Sequence, residues 1–251
     1  MGSALLLAAL LVTPLQEEEV ASSPSEEDLA RAREAIERVA ARLEGVAELH
    51  ADYRQVQESL LLDDPLVSTG RFHLRLDPGC LVLELPEPRP LVIRSDATSH
   101  RLWYPRKGRA EVFLFGRNRL TEALLACFTS DLEQLESAFA IASYSESPVL
   151  PPDAEGESAE LHTVATVRLV PRRDDLGAVL AALVLELDLT ARVPRAVVQE
   201  NPEGEMVRYE LSDLERVKEP DPNEPSVFDR PLPEGTRVVE RRVEADRNED
   251  G

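Results

Sequence analysis

Apolar residues first recur at helical spacing. Leu29, Ala32, Ile36, Val39 and Leu43 stand three or four apart, which puts them on one stripe of a helix. Ser23-Pro24-Ser25-Glu26 opens it: Ser23 caps, Pro24 fits the first helical position, and Glu26 stands where a capping box wants a carboxylate. Gly45 supplies the stop. The stripe is short and contains alanine, which disfavours a coiled coil, so the helix needs a surface to lie against.

Beyond Gly45 the period becomes two. Phe72, Leu74 and Leu76 alternate with Arg71, His73 and Arg75, Asp77-Pro78-Gly79 turns, and Leu81, Leu83 and Leu85 alternate again. After the proline-rich stretch 86–90 come Leu91-Val92-Ile93, Leu102-Trp103-Tyr104 and Val112-Phe113-Leu114-Phe115. Past residue 160 the spacing predicts strands over 164–170, 179–189, 192–199 and 206–211, with Asn201-Pro202-Glu203-Gly204 as a hairpin turn. In the second of these, Val179, Ala181, Leu183, Leu185, Leu187 and Leu189 form one aliphatic face, opposite a face that includes Glu186 and Asp188. Between the two groups of strands the spacing turns helical. Leu120, Leu124 and Phe128 are four apart, and Ser130 with Glu133 frames a second capping box before Leu132, Leu135 and Phe139. These patterns predict an α+β fold, a single strongly curved antiparallel sheet or barrel with helices on its apolar face.

The N-terminal segment is a different material. Ala4 to Val12 is unbroken apolar sequence, followed by Thr13-Pro14 and the acidic Gln16-Glu17-Glu18-Glu19. Such a run is short for a bilayer span and suits the apolar region of a secretory signal, with a membrane-tethering stub or a misplaced start codon as the alternatives. The expected organisation is a signal peptide over 1–15, an acidic linker over 16–27, one domain over 28–240 and a charged tail over 241–251. Export would place Cys80 and Cys127 in an oxidising compartment, where they either pair or remain two separately buried thiols.

Charge narrows the partners. The 251 residues carry 28 Lys+Arg against 48 Asp+Glu, a formal charge of -20. A nucleic-acid duplex or a polybasic contact with anionic lipid needs the opposite balance. Half of that charge comes from residues 16–28 and 150–160, which hold ten acids and no base and read as solvated linkers.

Catalytic patterns are lacking. His50, His73, His100 and His162 make no i, i+2 pair and no H-E-x-x-H frame, and there is no G-x-S-x-G elbow, Walker loop or G-x-G-x-x-G. Cys127 has no histidine near it in sequence. The expectation is a protein that is not an enzyme and uses neither metal nor cofactor.

Four segments carry a resemblance. Asp52-Tyr53-Arg54-Gln55, Gly70-Arg71-Phe72-His73-Leu74, Pro90-Leu91-Val92-Ile93-Arg94-Ser95-Asp96 closed by Leu102-Trp103-Tyr104-Pro105, and Phe228-Asp229-Arg230-Pro231-Leu232-Pro233-Glu234-Gly235-Thr236 resemble, in order and spacing, motifs of the LolA family of periplasmic lipoprotein carriers. The resemblance covers roughly residues 28–240. It implies an unclosed antiparallel barrel capped by helices around an apolar cavity. It also implies a periplasmic monomer that moves acylated lipoproteins from an inner-membrane transporter to an outer-membrane acceptor. An envelope sensor or scaffold of the same fold, responding to lipid without shuttling it, is the alternative. Two departures stand out. The family's Asp-Gly turn is replaced by Asp96-Ala97-Thr98-Ser99-His100, and its lid-fastening Arg before a proline is replaced by Asp77, which leaves Arg75 and Asp77 as candidates for the latch.

An acyl chain needs a dry aliphatic pocket. Leu74, Leu83, Leu85, Phe113, Phe115, Leu185 and Leu187 are expected to line it, with Leu124 and Phe128 on a lid. The competing reading is that these residues are solid core beneath the helices.

Overall fold

Ser25, rather than Ser23, caps the first helix. Its hydroxyl accepts from the Asp28 backbone N–H at 3.1 Å, and its own backbone N–H donates to the Asp28 carboxylate at 3.3 Å. A capping box needs its acid three residues after the cap, and Ser23/Glu26 and Ser25/Asp28 both meet that spacing. Helix α1 (Glu26–Ala40) then buries Ala32, Ile36 and Val39, and a 3-10 turn (Ala41–Leu43) adds Leu43 to the same core. Gly45 follows with φ +71°, a left-handed conformation that glycine adopts without a Cβ penalty. This computed structural model describes residues 23–58, 64–87, 89–115, 132–151, 160–223 and 225–243.

Among the described residues twelve strands make one sheet. The first six are β1 (Glu48–Glu58), β2 (Leu66–Arg75), β3 (Cys80–Leu85), β4 (Leu91–Asp96), β5 (Ser99–Tyr104) and β6 (Arg109–Phe115). Then come α2 (Leu132–Ala138), β7 (Phe139–Val149), β8 (His162–Pro171), α3 (Asp174–Gly177), β9 (Ala182–Asp188), β10 (Val193–Glu200), β11 (Met206–Val217) and β12 (Arg237–Val243). The spatial order is β12-β6-β5-β4-β3-β2-β1-β11-β10-β9-β8-β7. Two meanders, β1 to β6 and β7 to β11, are thus joined where β1 pairs with β11. Every pairing is antiparallel except β12 with β6. The ends, β7 and β12, are not paired to each other, so the sheet is unclosed.

The structure departs from the periodicity at β1 and β12, which the spacing did not predict, and at two further places. Phe139 starts β7 instead of continuing a helix, and β9 begins at Ala182 rather than Val179. Leu176 and Leu180 explain the second: the Leu180 N–H donates to the Leu176 carbonyl at 3.0 Å, and both side chains are buried, so this stretch closes a helical turn before the strand. β12 continues to Val243, inside the stretch expected to be tail.

The sheet curls around α1. The helix packs on β7, β8 and β9. β1 lies three strands beyond β9, about 14 Å away if the sheet were flat, which exceeds a helix radius of about 5 Å. Yet Leu49, Ala51 and Tyr53 of β1 are buried in the same core cluster as α1. Curvature brings them there, giving the sheet an apolar inner face and a charged outer one. On the outer face Arg208 bonds Glu186 at 2.6 Å and Glu210 at 2.9 Å, and Arg168 bonds Glu200 at 2.5 Å.

Gly70 occupies a tight place in this curvature. It pairs with Tyr53, and a Cβ built on it would lie 2.8 Å from the tyrosine ring and 2.1 Å from the Glu84 carbonyl oxygen. Gly70→Ala is therefore expected to cost about 1–3 kcal/mol by overpacking, read as a lower denaturation midpoint. Among the described residues no helix is long and apolar enough to cross a membrane.

Candidate functional site

The inner face of β2 to β6 is organised in rows set by the strand register. Leu74, Leu81, Ser95, His100 and Phe113 are successive cross-strand partners, and so are Phe72, Leu83, Ile93, Leu102 and Glu111. Partners across antiparallel strands share a face. Leu85 pairs with Leu91 one step further, and Phe115 follows Phe113 on the same pleat. The face is therefore mainly aliphatic and aromatic. Its polar members are satisfied locally: Glu111 bonds Arg109 at 2.9 Å, and His100 Nδ1 lies 3.2 Å from the buried Ser95 hydroxyl. Burial lowers the His100 pKa and keeps that ring neutral beside Phe113.

Coverage divides the expected pocket residues. Leu74, Leu83, Leu185 and Leu187 are 1%, 8%, 2% and 3% exposed and belong to the solid core shared with α1. Leu85, Phe113 and Phe115 are only half-buried, as are Leu81, Leu91, Ile93 and Leu102 beside them. The open part of the apolar face is thus that of β3 to β6, away from the strands on which α1 packs. Leu124 and Phe128, together with Cys127, lie outside the described residues.

The two latch candidates are elsewhere. Asp77 is exposed in the turn between β2 and β3. Arg75 projects from the outer face, where its guanidinium bonds Asp229 at 2.9 Å and lies 5.1 Å from the centre of the Phe228 ring. Phe228 belongs to the segment between β11 and β12, a strap that crosses the outer face and packs on Cys80, Val82 and Val92. Cys80 is a free, buried thiol under this ring. Burial raises its pKa despite the nearby guanidiniums of Arg94 and Arg75, so the thiol is protonated.

Beside the strap is a feature that the sequence did not reveal. His50 and His73 are cross-strand partners whose Nδ1 atoms stand 2.6 Å apart. The outer nitrogen of His50 faces Glu48 at 3.2 Å, and that of His73 faces Glu84 at 3.6 Å. They border a depression of about 310 Å³ that the strap completes with Pro225, Ser226 and Val227. A second depression of about 590 Å³ lies further along the outer face among Asp52, Arg54, Arg71 and Glu210. In it, Arg54 bonds Glu210 and Arg71 bonds Asp52. Among the described residues no group of three His, Cys, Asp or Glu side chains could hold a metal ion.

No protein-family model matches the chain, and no curated protein matches it. Solved structures do. An uncharacterized conserved protein from Thermus thermophilus is 11% identical, covers 84% of this chain and 99% of its own, and has a TM-score of 0.48. A putative outer membrane lipoprotein-sorting protein domain from Vibrio parahaemolyticus is 14% identical, with 76% and 94% of the two chains covered and a TM-score of 0.38. A LolA superfamily protein from Nitrosomonas europaea is 11% identical over 75% of this chain and 94% of that one, with a TM-score of 0.33.

Proposed function

We propose that the protein is a periplasmic carrier that binds the acyl chains of lipoproteins on the inner face of β3 to β6 for transport to the outer membrane. One observation supports the reading: Leu85, Leu91, Ile93, Leu102, Phe113 and Phe115 share an apolar face yet stay partly exposed, with Leu85 and Ile93 at the edge of the core, whereas the same face under α1 is fully buried. Each methylene moved from water onto such a surface contributes about 0.8 kcal/mol, so an acyl chain needs no charged anchor to be held. The work requires no catalytic group. An inner-membrane transporter and an outer-membrane acceptor are the partners this role calls for.

The second reading, a lipid-responsive sensor or scaffold without shuttling, is favoured by Arg75, whose bond to Asp229 ties it to the strap instead of to a lid. Titration with an environment-sensitive fluorescent fatty acid, followed by addition of acceptor vesicles, tests both. A carrier binds the probe saturably, gives it up to a synthetic lipopeptide, and releases it to the vesicles when an acceptor protein is present. Probe that stays bound under those conditions favours the sensor, and absence of saturable binding overturns both readings.

A further inference from the structure

We propose that the His50–His73 pair is a proton-operated latch, holding the strap segment 225–236 against the outer face while the pair carries at most one proton and loosening it when both rings are charged. The geometry of the pair sets the condition. Two imidazole nitrogens 2.6 Å apart accommodate one hydrogen between them, so one Nδ1 donates and the other accepts. With a second proton both Nδ1 atoms become donors aimed at each other, and the rings must separate.

The rings meet edge to face with centroids 4.8 Å apart, and the Phe228 ring centroid is 6.4 Å from that of His50. The strap is held from the same side by Phe228, buried on Cys80 and Val82, and by the bonds Arg75–Asp229 and Arg230–Glu84. Glu84 therefore serves both systems, bonding the strap through Arg230 and facing His73 at 3.6 Å. A charged His73 draws on one oxygen of the carboxylate whose other oxygen holds Arg230.

The groups facing the pair act in both directions. Glu48 on β1, Glu84 on β3, Glu215 opposite His50 on β11, and Asp221 at the edge of the depression favour protonation. Arg71 and Arg75 on β2 and Arg230 on the strap oppose it, with Asp229 already engaged by Arg75. For His73 the balance is against the proton: burial first, then the neighbouring His50, lower its pKa despite Glu84. A histidine whose folded pKa is depressed binds fewer protons folded than unfolded. Its contribution is then fully present above the unfolded value of about 6.5 and is lost as pH falls below it. His100 is lowered too, but on the inner face, so the reading has to be local to the strap.

Cys80 provides that reading, because the strap covers it. The full chain carrying Cys127→Ser is treated with 4,4′-dithiodipyridine, which reacts in mild acid, and rates are divided by those of a free thiol at each pH. Between about pH 8 and about pH 5 the relative reactivity of Cys80 is expected to rise about tenfold, with the rise centred below the ordinary histidine value. His73→Gln should reduce that response to less than about twofold, since one ring cannot clash with an uncharged amide. A flat profile in the His73-containing protein, or an undiminished rise in His73→Gln, overturns the latch. Should His73→Gln not fold, the imidazole resonances of the His73-containing protein decide: two coupled steps with the second displaced to low pH support the latch, and two independent ordinary titrations overturn it.

Discussion

Phe228→Ala should lower the unfolding free energy by about 3–5 kcal/mol, the range for truncating a fully buried aromatic ring. The ring is 0% exposed although it belongs to a segment between strands, and it is the strap's contribution to a small separate core with Cys80, Val82, Val92 and Val227. Its loss would leave a cavity on the outer face and remove the surface on which the Arg75 guanidinium rests. The ion pairs Arg75–Asp229 and Arg230–Glu84 involve exposed partners and each contribute about 0–1 kcal/mol, and the Arg101 guanidinium adds only a long hydrogen bond of 3.4 Å to the Arg230 carbonyl. They cannot hold the strap without the ring. Urea denaturation should show the lowered midpoint, and Cys80 should become reactive at neutral pH without any acid trigger. A loss below about 1 kcal/mol, with Cys80 still protected, would mean that the strap is held from elsewhere.

The second large effect separates binding surface from core. Leu102→Asp should weaken binding of a fluorescent fatty acid at least about hundredfold, because a carboxylate would stand between Ile93 and Glu111 in the middle of the open apolar rows. Leu102 is only half-buried, so the same change should cost little stability, about 1–2 kcal/mol. Leu185→Ala should do the reverse. That side chain is 2% exposed beneath α1, and its truncation should cost about 2–5 kcal/mol while leaving affinity nearly unchanged in the folded fraction. The pair of variants, measured by denaturation and by probe titration, distinguishes a groove on β3 to β6 from a continuous core. Equal losses of stability in both variants would contradict the groove.

Much of this architecture is legible in the chain. The α1 stripe and the alternating strands on either side of residues 116–131 each bury one face, and burying one face is what leaves a period in the sequence. β12 and the second half of β7 left no such period because they are edge strand, whereas Phe139 and Ile141 at the start of β7 do alternate into the core. Ser143 and residues 145–148 of β7 are exposed, and Val238 of β12 is 46% exposed, so no alternation was needed there. The cap was ambiguous for a different reason, since Ser23 and Ser25 each have an acid three residues on, and only the helix itself chooses between them.

The candidate site was half legible. That Leu74, Leu85, Phe113 and Leu187 are apolar and face inward follows from alternation, but which of them a helix covers is a tertiary fact. Alternation therefore joins fully buried and half-buried positions into one set. Nothing local in the sequence links His50 and His73. Their pairing follows only from the hairpin register, in which Tyr53 meets Gly70 and His50 meets His73. Arg75 shows the same limit. Its position two residues before Asp77 suggested a latch, whereas the pleat turns it to the outer face and onto Asp229.

The most direct test of acyl-chain carriage is native mass spectrometry of the protein purified from its native cells without detergent, before and after incubation with a synthetic triacylated lipopeptide. The expected result is protein already bearing acylated peptide, or protein that takes up one lipopeptide per chain and fails to do so in the Leu102→Asp variant. A chain that emerges free of acyl groups and remains so after incubation would contradict it.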